Sequence, residues 1–150
     1  MITFFYGSIA AVWMVLLICT LKEPITFKYI MIAITGMGCS LLFDTSLGEY
    51  AGLYYYINKS DSLFYIIISS IFLYPVIEVI YAMLLPEKVK PAIIYTALWL
   101  VLMIAFELIS LYIRTVVFTG WRLVPWSIAT YLFTYGWINL LFRYMGKRGL

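Results

Sequence analysis

Six polar side chains lie within or next to long apolar stretches, and they are the residues of this chain best placed to do chemistry. They are three carboxylic acids, two arginines and one amide: Asp44, Glu78, Glu107, Arg114, Arg122 and Asn139. A charged group at the centre of a bilayer costs about 2.5–3.5 kcal/mol on insertion scales, so such residues usually face a protein interior or a wet cavity. Together they form a candidate intramembrane polar site.

The chemistry open to this site is restricted by what the sequence lacks. There is no histidine, which excludes imidazole catalysis and most zinc sites. The two cysteines, Cys19 and Cys39, lie in different apolar stretches and form no Cys-x-x-Cys motif. We therefore expect no metal, no cofactor and no catalytic residue, although scattered acidic and basic residues leave a lipid-modifying enzyme open as an alternative.

The composition predicts a membrane protein with a single integral domain. Of 150 residues, 65% are hydrophobic and 11% are charged, whereas a soluble domain carries about 25% charged residues. Several apolar runs reach the length of about 20 residues that a helix needs to cross a bilayer. The formal net charge of +3 is too small to indicate a nucleic-acid partner, so the expected partner is the lipid bilayer.

The pattern of apolar runs and breakers predicts an all-α bundle of five transmembrane helices. Pro75 should kink the third span and free a backbone carbonyl near Tyr74 or Ile71, and Pro125 is placed in the first turn of the fifth. The segment between spans two and three is expected either to lie on the membrane surface, with a short interfacial helix, or to form a lid. The predicted spans are approximately 2–21, 27–43, 62–85, 92–113 and 123–142.

Two pairs of small residues four positions apart suggest how the helices associate. Gly7 with Ala11 and Gly36 with Ser40 would allow close approach of backbones. We expect them to pack the first two spans against each other within one chain, with a homodimer contact as the alternative.

The distribution of basic residues predicts the orientation. Seven lie on the side of the C-terminus: Lys22, Lys28, Lys88, Lys90, Arg143, Lys147 and Arg148. Three lie on the opposite side: Lys59, Arg114 and Arg122. The positive-inside rule then places the N-terminus outside and the C-terminus in the cytoplasm.

This topology assigns a depth to each carboxylate. Asp44 and Glu107 fall in the outer part of the bilayer, and Glu78 in the inner half, roughly 10 Å or more from Glu107 at 1.5 Å of rise per residue. Glu78 and Glu107 are therefore not expected to form a catalytic pair.

The predicted partners of the two glutamates leave several roles open. Glu107 is expected either to pair with Arg114 or Arg122 or to form an anion or proton site open to the outside. Glu78 is expected to be neutral, bonded to Asn139 or to the carbonyl freed by Pro75, with a proton-carrier role as an equal alternative.

The C-terminal half resembles a family of small membrane proteins. Glu107, a short loop, Trp121-Arg122-Leu123 and a following apolar segment with Ser127 and Tyr131 are similar to an uncharacterised family of five-span proteins from spore-forming bacteria. The resemblance implies a bacterial plasma membrane and a role linked to sporulation or the envelope. It implies no catalytic residue.

Three functions are compatible with these features. The first is a non-catalytic accessory or assembly component, acting with a membrane protein partner or as a homo-oligomer. The second is a small proton-coupled carrier that uses Asp44, Glu78 and Glu107. The third is an enzyme acting on lipid or isoprenoid substrates, with Asp44, Glu49, Glu107 and Arg122 around a headgroup.

Overall fold

The computed structural model describes residues 1–147, which form a helical bundle with one short β-ribbon at one end. The helices are α1 (Ile2–Thr20), α2 (Phe27–Asp44), α3 (Ser62–Phe72), α4 (Tyr74–Met83), α5 (Val89–Tyr112) and α6 (Ile128–Lys147). The ribbon pairs β1 (Tyr54–Tyr56) with β2 (Val116–Phe118) in antiparallel register. The predicted all-helical class is therefore confirmed.

Within residues 1–147, four helical stretches are long and apolar enough to cross a membrane. They are Ile2–Thr20, Phe27–Tyr50, Lys59–Met83 and Val89–Tyr112. This is the architecture of a membrane protein. Helix α6 is not among the four, so the fifth span and the orientation stay predictions. Arg148, which contributes to the count of basic residues, lies outside the described residues.

Helix α4 occupies the centre of the bundle because apolar side chains surround it on nearly every side. Its residues from Pro75 to Ala82 are all buried, and its neighbours are α1, α2, α3 and α6. Tyr81 is fully buried and its ring contacts the rings of Tyr95, Trp99 and Tyr135. These contacts join α4 to α5 and α6.

The third predicted span is broken at Leu73, between α3 and α4, which confirms the kink that Pro75 predicts. The indole N–H of Trp13 in α1 donates a hydrogen bond of 2.9 Å to the carbonyl of Phe72. The carbonyl of Phe72, next to the break, is thus bonded by a side chain of another helix.

The small residues of α2 face the broken span rather than α1. A Cβ built on Gly36 would overlap the carboxylate of Glu78, and the Ser40 hydroxyl lies 3.4 Å from the carbonyl of Ser70. Nothing lies within 4 Å of a Cβ built on Gly7. The expectation that these pairs pack spans one and two together is therefore wrong for Gly36 and Ser40.

The segment that follows α2 forms one further helical turn and a β-strand. A π-helical turn (Thr45–Tyr50) continues α2, and β1 then pairs with β2 after α5. The carbonyl of Leu53 accepts the backbone N–H groups of Thr119, Gly120 and Trp121, each at 2.9 Å. We call this β-ribbon and its flanking turns the cap, residues 45–61 and 113–122.

Helix α6 begins five residues later than predicted, at Ile128. Val124 has an extended backbone (φ −113°, ψ 124°), as expected for a residue that precedes proline, because the proline ring disfavours the helical conformation there. Pro125 lies after this residue, in the π-helical turn Leu123–Ser127 that leads directly into α6. Helix α5 conversely starts earlier than predicted, so that Pro91 falls in its first turn.

Candidate functional site

A single cavity beneath the cap brings together the three carboxylates that the sequence singled out. Its volume is about 380 Å³, within the range of about 300–1,000 Å³ typical of small-molecule sites. Asp44, Glu78 and Glu107 all line it. The cavity wall is formed by α1, α2, α4, α5, α6 and the inner face of the cap.

At the cap end, Asp44 is held by two tyrosines of β1. Tyr54 donates a hydrogen bond of 2.6 Å to Asp44 Oδ1, and the Tyr56 hydroxyl lies 3.5 Å from Oδ2. The Tyr56 hydroxyl is also 2.5 Å from that of Tyr74 in α4. Burial, followed by the charge of Asp44, raises the pKa of Tyr54 and of Tyr56 above the ordinary range of a phenol. Both phenols therefore remain protonated donors.

Glu107 lies at the same end of the cavity, bonded to the turn before α6. Ser127 donates a hydrogen bond of 2.6 Å to Glu107 Oε1, and the indole N–H of Trp121 donates to the Ser127 hydroxyl at 2.9 Å. Tyr131 also lies beside the carboxylate. The second oxygen, Oε2, is buried and has no hydrogen-bond partner among the described residues.

Glu78 lies deeper in the bundle. Its side chain is 7% exposed and its carboxylate lies against the backbone of Gly36 in α2. Gly36 precedes Asp44 by eight residues of the same helix, which corresponds to about 12 Å along the axis. Glu78 Oε2 is buried and, within residues 1–147, has no hydrogen-bond partner.

The other three predicted site residues do not line the cavity. Arg114 and Arg122 are exposed, and no ion pair joins either of them to Glu107 in the described part of the chain. The carbonyl oxygen of Asn139 accepts a hydrogen bond of 2.6 Å from Arg143, not from Glu78. Arg143 also donates to the carbonyls of Glu87 and Pro86. Asn139 thus helps fasten α6 to the turn between α4 and α5.

The tyrosines of β1 are the functional residues that sequence reasoning missed. The segment that carries them was expected on the membrane surface or as a lid, and Tyr54 and Tyr56 are 8% and 4% exposed. Alternate residues of a strand point to the same face, so Tyr54 and Tyr56 face the cavity while Tyr55 faces an outer groove beside Arg114. The first and third of three consecutive strand residues lie on the same face, but nothing in the sequence marked these tyrosines as a strand.

The cavity reaches the outer surface of the bundle beside α2 and α6. Several side chains both line it and are exposed: Cys39, Phe43, Thr130, Phe133 and Trp137. The cavity is therefore open to the surface of the bundle between these two helices.

The charges of the cavity are all of one sign. Among the described residues that line it, three are acidic and none is a lysine or arginine. Residues 1–147 also contain no cluster of three side chains arranged to hold a metal ion. The arrangement is suited to protons and to organic cations, and unsuited to anions.

Comparison with known proteins gives no family assignment. No protein-family model, no curated protein sequence and no solved structure matches this chain. The resemblance to the family from spore-forming bacteria therefore stays a prediction.

Proposed function

We propose that this protein is a small carrier that exchanges protons for organic cations across a bacterial plasma membrane. The observation that supports this proposal is a single cavity lined by Asp44, Glu78 and Glu107, with no basic side chain among its described lining residues. The cation would be a primary amine, because the free glutamate oxygens accept hydrogen bonds and an ammonium group donates them.

The exchange follows from the cost of an unpaired charge in a low-dielectric interior. A buried carboxylate needs a partner of opposite charge or must take up a proton. Without an amine, a proton supplies that neutralisation, and an ammonium ion replaces it when an amine binds. Proton release on one side of the membrane then accompanies amine uptake, and the reverse occurs on the other side.

The membrane topology is part of the same proposal. We propose that α6 forms a fifth span, because Tyr135 and Ile138 are buried against the bundle and α6 lies beside α2, α4 and α5. With the N-terminus outside, Asp44, Glu107 and the cap lie at the external end of the cavity. Glu78 lies towards the cytoplasm.

A carrier role uses all three carboxylates of the cavity, which the other two hypothetical functions do not. An enzyme acting on lipid headgroups was expected to combine Asp44 and Glu107 with Arg122 and Glu49, but Arg122 and Glu49 are exposed and neither lines the cavity. An accessory role in the envelope makes no use of the three carboxylates. Detection of a second protein at fixed stoichiometry, by native mass spectrometry from mild detergent, would favour it.

Transport in proteoliposomes tests the proposal. The probe is labelled 6-(trimethylammonio)hexylamine, whose primary ammonium group donates hydrogen bonds and whose quaternary group keeps the molecule from crossing the bilayer by losing a proton. With an acidic interior, we expect uptake that collapses when a protonophore removes the pH gradient. Glu107→Gln should lower the uptake by about tenfold or more, the equivalent of about 1.4 kcal/mol, while Glu87→Gln, which alters an exposed carboxylate outside the cavity, should not. Equal uptake by protein-free vesicles would overturn the proposal.

A further inference from the structure

Two glutamates line one cavity at different depths, and each has one carboxylate oxygen without a hydrogen-bond partner among the described residues. Glu78 Oε2 and Glu107 Oε2 are both buried and without a hydrogen-bond partner in the described part of the chain. Buried polar atoms are nearly always hydrogen-bonded, and a specific exception calls for an explanation such as an absent ligand. Two such carboxylates lining one cavity indicate two points at which a ligand donates hydrogen bonds.

The separation of these two points follows from the helices that carry the glutamates. Glu107 lies at the same end of the cavity as Asp44. Its partner Ser127 accepts a hydrogen bond from Trp121, and the Trp121 ring contacts Tyr54, the donor to Asp44. Glu78 lies at the level of Gly36, about 12 Å further along α2. A ligand that reached both oxygens at once would need its donors about that far apart.

Apolar side chains close to each glutamate in sequence form part of the cavity wall. Ile77 precedes Glu78 on α4, and Met103 and Phe106 lie within about one turn of Glu107 on α5; all three line the cavity. These side chains match methylene groups and offer no hydrogen bond. Polar hydroxyls concentrate instead around Asp44 and Glu107.

We propose that the ligand is a linear diamine whose two ammonium groups bind Glu78 and Glu107 simultaneously, with an alkyl chain of matching length between them. This inference rests on the proposed function and narrows its substrate class. The second ammonium group binds intramolecularly, at a high effective concentration. The gain over a single attachment is typically about a hundredfold or more.

The experiment is a chain-length series measured by calorimetry on the full-length protein in neutral detergent. The probes are diaminobutane, diaminohexane, diaminooctane, diaminodecane and diaminododecane, with octylamine as the monoamine. We expect a maximum at the diamines of intermediate length, binding about a hundredfold more tightly than octylamine. Affinity that rises steadily with chain length, or that equals that of octylamine, would overturn the dual-site inference.

Substitutions identify the two attachment points. Glu78→Gln should reduce the affinity of the best diamine to that of octylamine and abolish the length optimum, and Glu107→Gln should do the same. Glu87→Gln should retain the optimum. An optimum that persists in Glu78→Gln would overturn the inference, and the series on the unmodified protein decides the question if a variant does not fold.

Amine binding distinguishes a failure of the dual site from a failure of the organic-cation function. If octylamine binds and displaces protons but no diamine exceeds it, the organic-cation function stands and the dual site is wrong. If neither octylamine nor any diamine binds, the organic-cation function is wrong as well.

Discussion

The backbone of Gly36 in α2 lies directly against the carboxylate of Glu78 in α4, so that a Cβ at position 36 would overlap Glu78 Oε2. This contact explains how a carboxylate is accommodated at the centre of the bundle. The absent side chain of glycine leaves the space that the carboxylate occupies. It also sets the depth of Glu78 relative to Asp44.

Replacing Gly36 with alanine should therefore destabilise the protein through a clash with Glu78. Gly36→Ala should lower the free energy of unfolding by about 1–3 kcal/mol, the usual cost of overpacking a core. Gly38→Ala is the matched control, because nothing lies within 4 Å of its Cβ in the same helix. Unfolding in mixed micelles measures both changes.

A second substitution that shortens the glutamate should relieve the same clash. The double variant Gly36→Ala, Glu78→Ala removes the carboxylate that the new methyl group would overlap, so it should recover much of the stability lost in Gly36→Ala alone. If Gly36→Ala and Gly38→Ala unfold at the same denaturant concentration, the contact between Gly36 and Glu78 is not as described.

The hydrogen bond from Tyr54 to Asp44 should couple the cap to α2. Tyr54→Phe and Asp44→Asn should each destabilise the protein, with an interaction energy of about 1–3 kcal/mol in a double-mutant cycle. Tyr55→Phe is the control, because Tyr55 lies on the opposite face of β1. Additive effects of Tyr54→Phe and Asp44→Asn would show that the two side chains do not interact.

Alkaline pH should loosen the cap. Burial raises the pKa of Tyr54 and Tyr56 above the ordinary value of about 10. When a folded-state pKa is raised, the stability it contributes is fully present below the unfolded pKa and is lost as the pH rises above it. Stability should therefore fall above about pH 10, and the fall should be smaller in Tyr54→Phe than in Tyr55→Phe. Thermal denaturation across this range provides the measurement, and equal slopes in the two variants would contradict the burial of Tyr54.

The hydrogen bond from Trp13 to Phe72 should stabilise the break between α3 and α4. Trp13→Phe retains an aromatic ring but loses the N–H donor, and should cost about 0.5–1.5 kcal/mol. Trp126→Phe, at an exposed position next to α6, controls for the loss of an indole. Hydrogen exchange of the amides around Leu73 should increase in the first variant alone; unchanged exchange there would show that the bond does not hold the break.

Composition and helical patterning predicted the class and most helix bounds, because hydropathy acts locally along the chain. The kink at Pro75 was also predictable from local sequence, because proline lacks the backbone N–H group of other residues. The sequence also predicted that Asp44 and Glu78 lie at different depths, because the rise per residue of a helix is fixed.

The features that the sequence did not reveal, the β-ribbon and the partner of Glu107, depend on pairings between distant segments. The ribbon joins Tyr54 to Phe118, and three-residue strands carry too little pattern to be recognised. The expected partners of Glu107 were arginines near it in sequence, whereas its observed partner, Ser127, belongs to the turn before α6. A chain folded back through a loop brings such residues together without a local signal.

Proton release on amine binding tests the central claim most directly. Octylamine hydrochloride is added to the purified protein in weakly buffered neutral detergent near pH 7, and a pH indicator reports the protons released per bound amine. We predict close to one proton for the unmodified protein and for Glu87→Gln, and a large loss of release in the triple variant Asp44→Asn, Glu78→Gln, Glu107→Gln. Binding without proton release, or equal release from the triple variant, would contradict the account.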